Sequence, residues 1–303
     1  MKRTKKLLCL LLVVFLSLFL ISCEKNDNSN RNSGADEKLK VHYIDVGQGD
    51  SELIQVNGKS ILIDAGTSDK KSLDYLKSLG ITRLDYVIAT HPHEDHIGSM
   101  DDVIINYDIG SFYAPKVTTT TKTYENMIDA LKYKGLKINV PKTGEKINIG
   151  NSVLTFLAPN SSKYDDLNNY SIVIKLEFGG TSFIFMGDAE DISENEILAK
   201  QLDIQADVLK VGHHGSHSST TQAFIDKVNP KYTVISCEKG NDYGHPHKET
   251  IDKLNKKNIK VFRTDIQGTI IATSNGESIK FNVDSVDKKA NVSGNELKKA
   301  SNK

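Results

Sequence analysis

The stretch THPHEDHIGS, directly behind the apolar run YVIA, constrains this chain more than any other feature. His91, His93, Asp95 and His96 fill the pattern H-x-H-x-D-H, so four metal-competent side chains fall within six positions where a buried strand should end. Imidazole and carboxylate are the ligands that borderline and hard divalent ions accept. A single tetrahedral ion with an open position takes only three protein ligands. Four on one loop therefore imply two ions sharing it.

The rest of the chain is rich in short strands. KVHYIDV, SELIQV and SILIDAG read as three successive strands broken by glycine-containing turns, and LDYVIAT as the buried strand ahead of the loop. VLTFLAP, SIVIKLEF, TSFIFMGD, ADVLKVG, YTVISC, KVFRTD, GTIIATSNG and SIKFNV continue the series. Helices are predicted at KKSLDYLKSLG, TYENMIDALKYKG, ISENEILAKQL, TQAFIDKV and KETIDKLNKKN. One open sheet seldom holds so many strands, so the expected class is α/β with two sheets covered by helices. At 303 residues, one large catalytic domain is the simplest organisation, and it is expected over residues 39–283.

The two ends differ from this core. Lys2, Arg3, Lys5 and Lys6 precede an apolar run from Leu7 to Ile21, the layout of an export signal over residues 1–22. Its end, Leu20-Ile21-Ser22-Cys23, resembles the lipobox of bacterial lipoproteins, which implies cleavage before Cys23, lipidation of that residue and attachment to the outer face of the cytoplasmic membrane. Residues 23–38, polar and rich in Asn and Ser, read as a flexible tether, and 284–303 as a loose polar tail. Loss of the leader leaves Cys237 without a cysteine partner, so stability must come from the core. It also leaves 35 basic against 39 acidic residues, a net −4. A broad basic nucleic-acid footprint is thereby excluded, and a polyanion would have to bind through a local site or through metal ions.

In order and spacing, IDVGQGDSELI, ILIDAG, THPHEDHIGS, NNYSIVIKL, FIFMGDAE, ADVLKVGHHGSHSS, NDYGHPHKE and VFRTDIQGTI make the chain similar to the metallo-β-lactamase superfamily of metal-dependent hydrolases. Within it they resemble the branch that contains the hydrolase domain of the DNA-uptake competence protein ComEC. The resemblance implies an αβ/βα four-layer sandwich with two divalent ions, zinc or alternatively manganese, at one edge between the sheets. It assigns His91 and His93 to the first ion and Asp95 and His96 to the second, with Asp188 of FIFMGDAE bridging them. Asp95 and Asp188 would carry the catalytic role. HHGS, residues 213–216, would give the second ion its last histidine. The sequence does not separate His213 from His214; His213 is favoured because it continues the alternation of Leu209 and Val211, and His214 and Ser216 are assigned to the substrate.

Residues 97–187 contain no histidine that could complete the first site, and NNYS stands in that region instead. The first ion would then keep room for water or a substrate oxygen, which suits phosphate chemistry. Two ions sharing a water lower its pKa and stabilise charge at the attacked centre. His245 and His247 of NDYGHPH have two readings, surface or cap residues ahead of a helix, or groups reaching substrate. Asp64 is expected to buttress the metal loop, GQGD at 47–50 to be a turn, Cys237 to fill core, and His42 to be structural. Lys210 could balance substrate charge, although a strand lysine ordinarily reaches solvent. The function expected is an exported phosphodiesterase or nuclease. Alternatives are a hydrolase of phosphocholine-decorated wall polymer, a lactam or a thioester, and a non-catalytic surface protein on the same fold.

Overall fold

The computed structural model describes residues 38–301. The expected leader, Cys23 and the tether up to residue 37 lie outside them. Strands β1 (Leu39–Tyr43), β2 (Glu52–Val56) and β3 (Lys59–Ile63) lead through helix α1 (Lys71–Ser78) to β4 (Arg83–Ile88). The short helices α2 (Glu94–Ile97) and α3 (Met100–Asn106) precede β5 (Asp108–Tyr113), α4 (Lys122–Lys134) and β6 (Ile138–Asn139). Next come β7 (Lys146–Ile149), β8 (Ser152–Ala158), β9 (Val173–Phe178), β10 (Thr181–Phe185) and α5 (Asp191–Ala199). Then β11 (Val208–Lys210), α6 (Gln222–Val228), β12 (Tyr232–Ile235), α7 (Lys248–Lys256) and β13 (Lys260–Arg263) alternate. The described chain closes with α8 (Thr264–Gln267), β14 (Ile270–Ser274), β15 (Ile279–Phe281) and α9 (Gly294–Ser301).

Among the described residues fifteen strands form two sheets, ordered β15-β14-β1-β2-β3-β4-β5-β6 and β13-β12-β11-β10-β9-β8-β7. Strand alternation decides what each face buries. Tyr43, Ile61 and Ile88 of the first sheet meet Phe156, Ile174, Phe183 and Val208 of the second in the central core. Leu62 and Val87, one position over, instead pack under Leu76, Val103 and Leu131 of α1, α3 and α4. On the far side Ile184 and Leu209 receive Ile197 and Phe224 of α5 and α6, while Ile235 receives Ile251 of α7. The result is the expected helix–sheet–sheet–helix sandwich. Its parallel runs, β3 to β6 and β10 to β13, send the carboxyl ends of β4, β10 and β11 to one edge.

The segment after 283 is not a loose tail. Val286 N–H donates to Val261 O at 2.8 Å, and the segment ends in α9. The cause is Arg263, a wholly buried guanidinium that must be hydrogen-bonded throughout. Asp265 takes part of it at 2.7 Å, and Asn291 Oδ1 and Val292 O take the rest. A polar composition concealed a segment whose work is to satisfy a buried charge.

Candidate metal centre

The loop after β4 is held from beneath by Asp64. This carboxylate accepts from Thr90 N–H at 2.7 Å, from Thr90 Oγ1 at 2.6 Å and from His96 Nδ1 at 2.7 Å. With its Nδ1 proton so engaged, His96 presents Nε2 toward Asp188 Oδ1, 3.2 Å away. Asp64 is thus the buttress expected of it. Ser171, from NNYS, stands behind the first site: its Oγ accepts the Asp188 N–H at 3.1 Å and lies 3.3 Å from His91 Nδ1.

The second sheet contributes through the ends of β10 and β11. Past Lys210 the chain leaves strand geometry, and His213 and His214 both adopt positive φ, 48° and 53°, in a tight turn. Gly215 follows at φ +84°, where a Cβ would come within 2.5 Å of Pro246. This turn corrects the choice favoured from alternation. His214, buried, brings Nε2 to 3.2 Å from Asp95 and 3.4 Å from Asp188, while its Nδ1 donates to Ser236 O at 3.0 Å. His213 stays 3.7 Å from Asp188 and turns Nδ1 to Glu190 and Ser218, each at 3.2 Å.

Two sets of ligand atoms result, each within 4.8 Å: His91, His93 and Asp188 in one, Asp95, His96, Asp188 and His214 in the other. Asp188 belongs to both. His96 Nε2, His214 Nε2 and Asp188 Oδ1 are buried without a hydrogen-bond partner. Such atoms cost about 1–3 kcal/mol each when nothing satisfies them. Their convergence, and a donor set of imidazole and carboxylate, fit a pair of divalent ions. The charges reinforce this. Burial works to lower His96 and His214, but Asp188 and the neighbouring carboxylates outweigh it and raise both imidazoles well above their ordinary range. Burial would raise Asp95 and Asp188, yet the same two imidazoles hold both carboxyls down. His91 is driven the other way, lowered by burial and by His96.

Residues 44–238 match the family model described as the metallo-β-lactamase superfamily. The chain belongs to the metallo-β-lactamase superfamily. It carries the clustered histidines and aspartates of that family's metal-dependent hydrolases, in an arrangement compatible with a dinuclear site. It is 34% identical over 251 residues to ComE operon protein 3 of Bacillus subtilis, covering 76% of this chain and 32% of that protein. To competence protein ComA of Neisseria gonorrhoeae it is 28% identical, over 78% of this chain and 32% of the relative. The chain therefore spans about a third of the length of these relatives. The metallo-β-lactamase fold protein YhfI of Bacillus subtilis superposes with a TM-score of 0.52 at 16% identity, over 78% of this chain and all of that one.

In this metallo-β-lactamase chain the two ligand sets floor a cleft of about 500 Å³. Its walls include Gln48, Thr67, Asn168, Tyr243 and His245. Of the expected substrate residues, His245 lines the cleft; Ser216 is buried outside its lining, and His247 pairs with His217, Nδ1 to Nδ1 at 3.0 Å. Burial and the His214, His213 and His247 imidazoles push His245 down to about 3. Sequence reasoning missed the charge network behind His214. Lys210 is wholly buried and donates to Asp50 Oδ2 at 2.7 Å, and Asp50 Oδ1 lies 3.4 Å from His214 Nδ1. Lys210 thus does not reach solvent, and the aspartate of GQGD is more than a turn residue. The signal was present: a lysine inside the apolar VLKVG and an aspartate ahead of a buried strand each require a partner.

Proposed function

We propose that the chain is an exported, lipid-anchored phosphodiesterase or nuclease that uses two divalent metal ions, zinc or alternatively manganese. The observation carrying this reading is the pair of ligand sets that share Asp188 at the floor of an open polar cleft, one of them having only three protein ligands. A pair of ions held there would supply Lewis acidity and water activation near neutral pH. The competence-related relatives support a nucleic-acid substrate.

The chain's own residues add orientation. Gln48 Oε1 accepts from Glu238 N–H at 3.2 Å, which turns its amide nitrogen toward His245 Nδ1 at 3.3 Å. Gln48 then donates to Nδ1, and the neutral His245 ring carries its proton on Nε2, where it can hold a phosphate oxygen. Thr67 adds a neutral hydroxyl to the lining of the cleft. The net −4 of the chain without its leader leaves attraction of a polyanion to this local site.

The test is metal analysis of the purified protein joined to a substrate panel of single-stranded DNA, bis(p-nitrophenyl) phosphate, p-nitrophenyl phosphocholine and nitrocefin. Two equivalents of metal with metal-dependent cleavage of the first two are expected. Turnover confined to nitrocefin would overturn the phosphodiesterase reading, and turnover confined to the phosphocholine diester would move the substrate from nucleic acid to phosphocholine-bearing polymer. The anchor rests on Leu20-Ile21-Ser22-Cys23, and Cys23→Ser should release the protein from membranes or block its processing; normal cleavage with unchanged retention argues against it.

A further inference from the structure

Three rings step outward from the ligand cluster. His214 stacks on His245 with centroids 6.0 Å apart and planes at 28°, and His245 stacks on Tyr243 at 5.5 Å and 18°. The inner two rings are buried. Tyr243 is 67% exposed at the lip of the cleft, and among the described residues no further ring lies against it. An exposed tyrosine is ordinarily mobile, but this one is built on a braced loop. Asn241 donates from Nδ2 to His245 O at 2.7 Å and accepts from His245 N–H at 3.0 Å. His247 Nε2 donates to Tyr243 O at 3.1 Å. From outside, Gly294 N–H donates to Pro246 O at 3.0 Å, and Lys298 pairs with Asp242 at 2.9 Å.

We propose that Tyr243 is a stacking platform for a nucleobase flanking the scissile phosphodiester, so that the site selects single-stranded nucleic acid over phosphodiesters without bases. This rests on the phosphodiesterase reading above. The geometry suits it: the ring is roughly parallel to His245, stands on a loop whose backbone is braced, and lies one ring beyond a residue stacked on His214 of the ligand cluster. Stacking on an aromatic side chain tolerates any base, because every base has a π-face, and it requires that base to be out of a duplex. It also supplies affinity without positive charge, which a chain of net −4 once its expected leader is removed needs for a polyanionic substrate.

The experiment compares wild type, Tyr243→Ala and Tyr243→Phe, metal-loaded, on a single-stranded oligodeoxynucleotide and on an abasic oligonucleotide of the same length. Tyr243→Ala should lower the ratio of kcat/KM between the two substrates by about tenfold or more, mainly through KM for the base-bearing strand. Tyr243→Phe, which keeps the ring, should preserve that ratio. Anisotropy of labelled, nuclease-resistant forms of both oligonucleotides on metal-loaded protein should show the same loss of preference in binding. Equal losses on both substrates, or an unchanged preference in Tyr243→Ala, would overturn the platform. If metal-loaded wild type cleaves neither strand, the phosphodiesterase reading fails while the anisotropy series still decides the role of Tyr243.

Discussion

Asp188 touches both ligand sets, so Asp188→Ala should strip metal from both and lower turnover by orders of magnitude. The neighbouring histidines give a sharper comparison. His214→Ala should reduce bound metal from two equivalents toward one, whereas His213→Ala should keep two, because His213 is committed to Glu190 and Ser218. Metal analysis of the two purified variants decides it, and the reverse pattern would restore the choice favoured from alternation. At this scale the sequence was readable where one motif holds its ligands in successive positions, as from His91 to His96. It was not readable at HHGS, where two consecutive left-handed residues interrupt the alternation on which the reading depended. Backbone of that kind leaves no mark on hydrophobic periodicity.

Among the elements, strands bounded by glycine turns and helices with clear apolar stripes could be found beforehand. The stretch MDDVIINYDIGSFY could not be divided. Tyr107 alone separates α3 from β5, and no glycine or proline marks the change of period. The C-terminal segment escaped for another reason: its main partners are backbone carbonyls and a buried arginine on a distant strand, contacts that carry no sequence periodicity. Its position leads to a prediction. Removing residues 284–303 should leave metal content intact but raise KM for oligonucleotides, because Gly294 and Lys298 of α9 brace the loop carrying Tyr243 and His245. The truncated protein should also melt earlier, with Arg263 missing part of its hydrogen bonding. Wild-type KM in the truncated protein would show that the loop holds its shape unaided.

For the whole molecule the charges of the centre set the pH response. Burial lowers His96 and His214, but the surrounding carboxylates prevail and raise both. In metal-free protein their protonated forms therefore stabilise the fold fully below about pH 6.5, and that contribution is lost as pH rises through their folded values. His91, lowered by burial, opposes folding only below about pH 6.5. Metal-free protein should lose thermal stability as pH climbs above about 6.5 through the raised values of these two imidazoles, while metal-loaded protein, bound through neutral imidazoles, should widen its advantage. Parallel Tm curves across that range would count against the assigned charges. The fold itself was legible as two sheets because alternation repeats along many strands, so errors in one element do not change the count.

The ligands come from both sheets, the β4 loop from one and the ends of β10 and β11 from the other. An ion that joins them reports on the seam between two layers. When the layers part, even briefly, the coordination set is divided although every strand remains paired within its own sheet. Bound metal would therefore act as a clasp between the layers, and stripping it should loosen the contact between the sheets before it disturbs pairing within either.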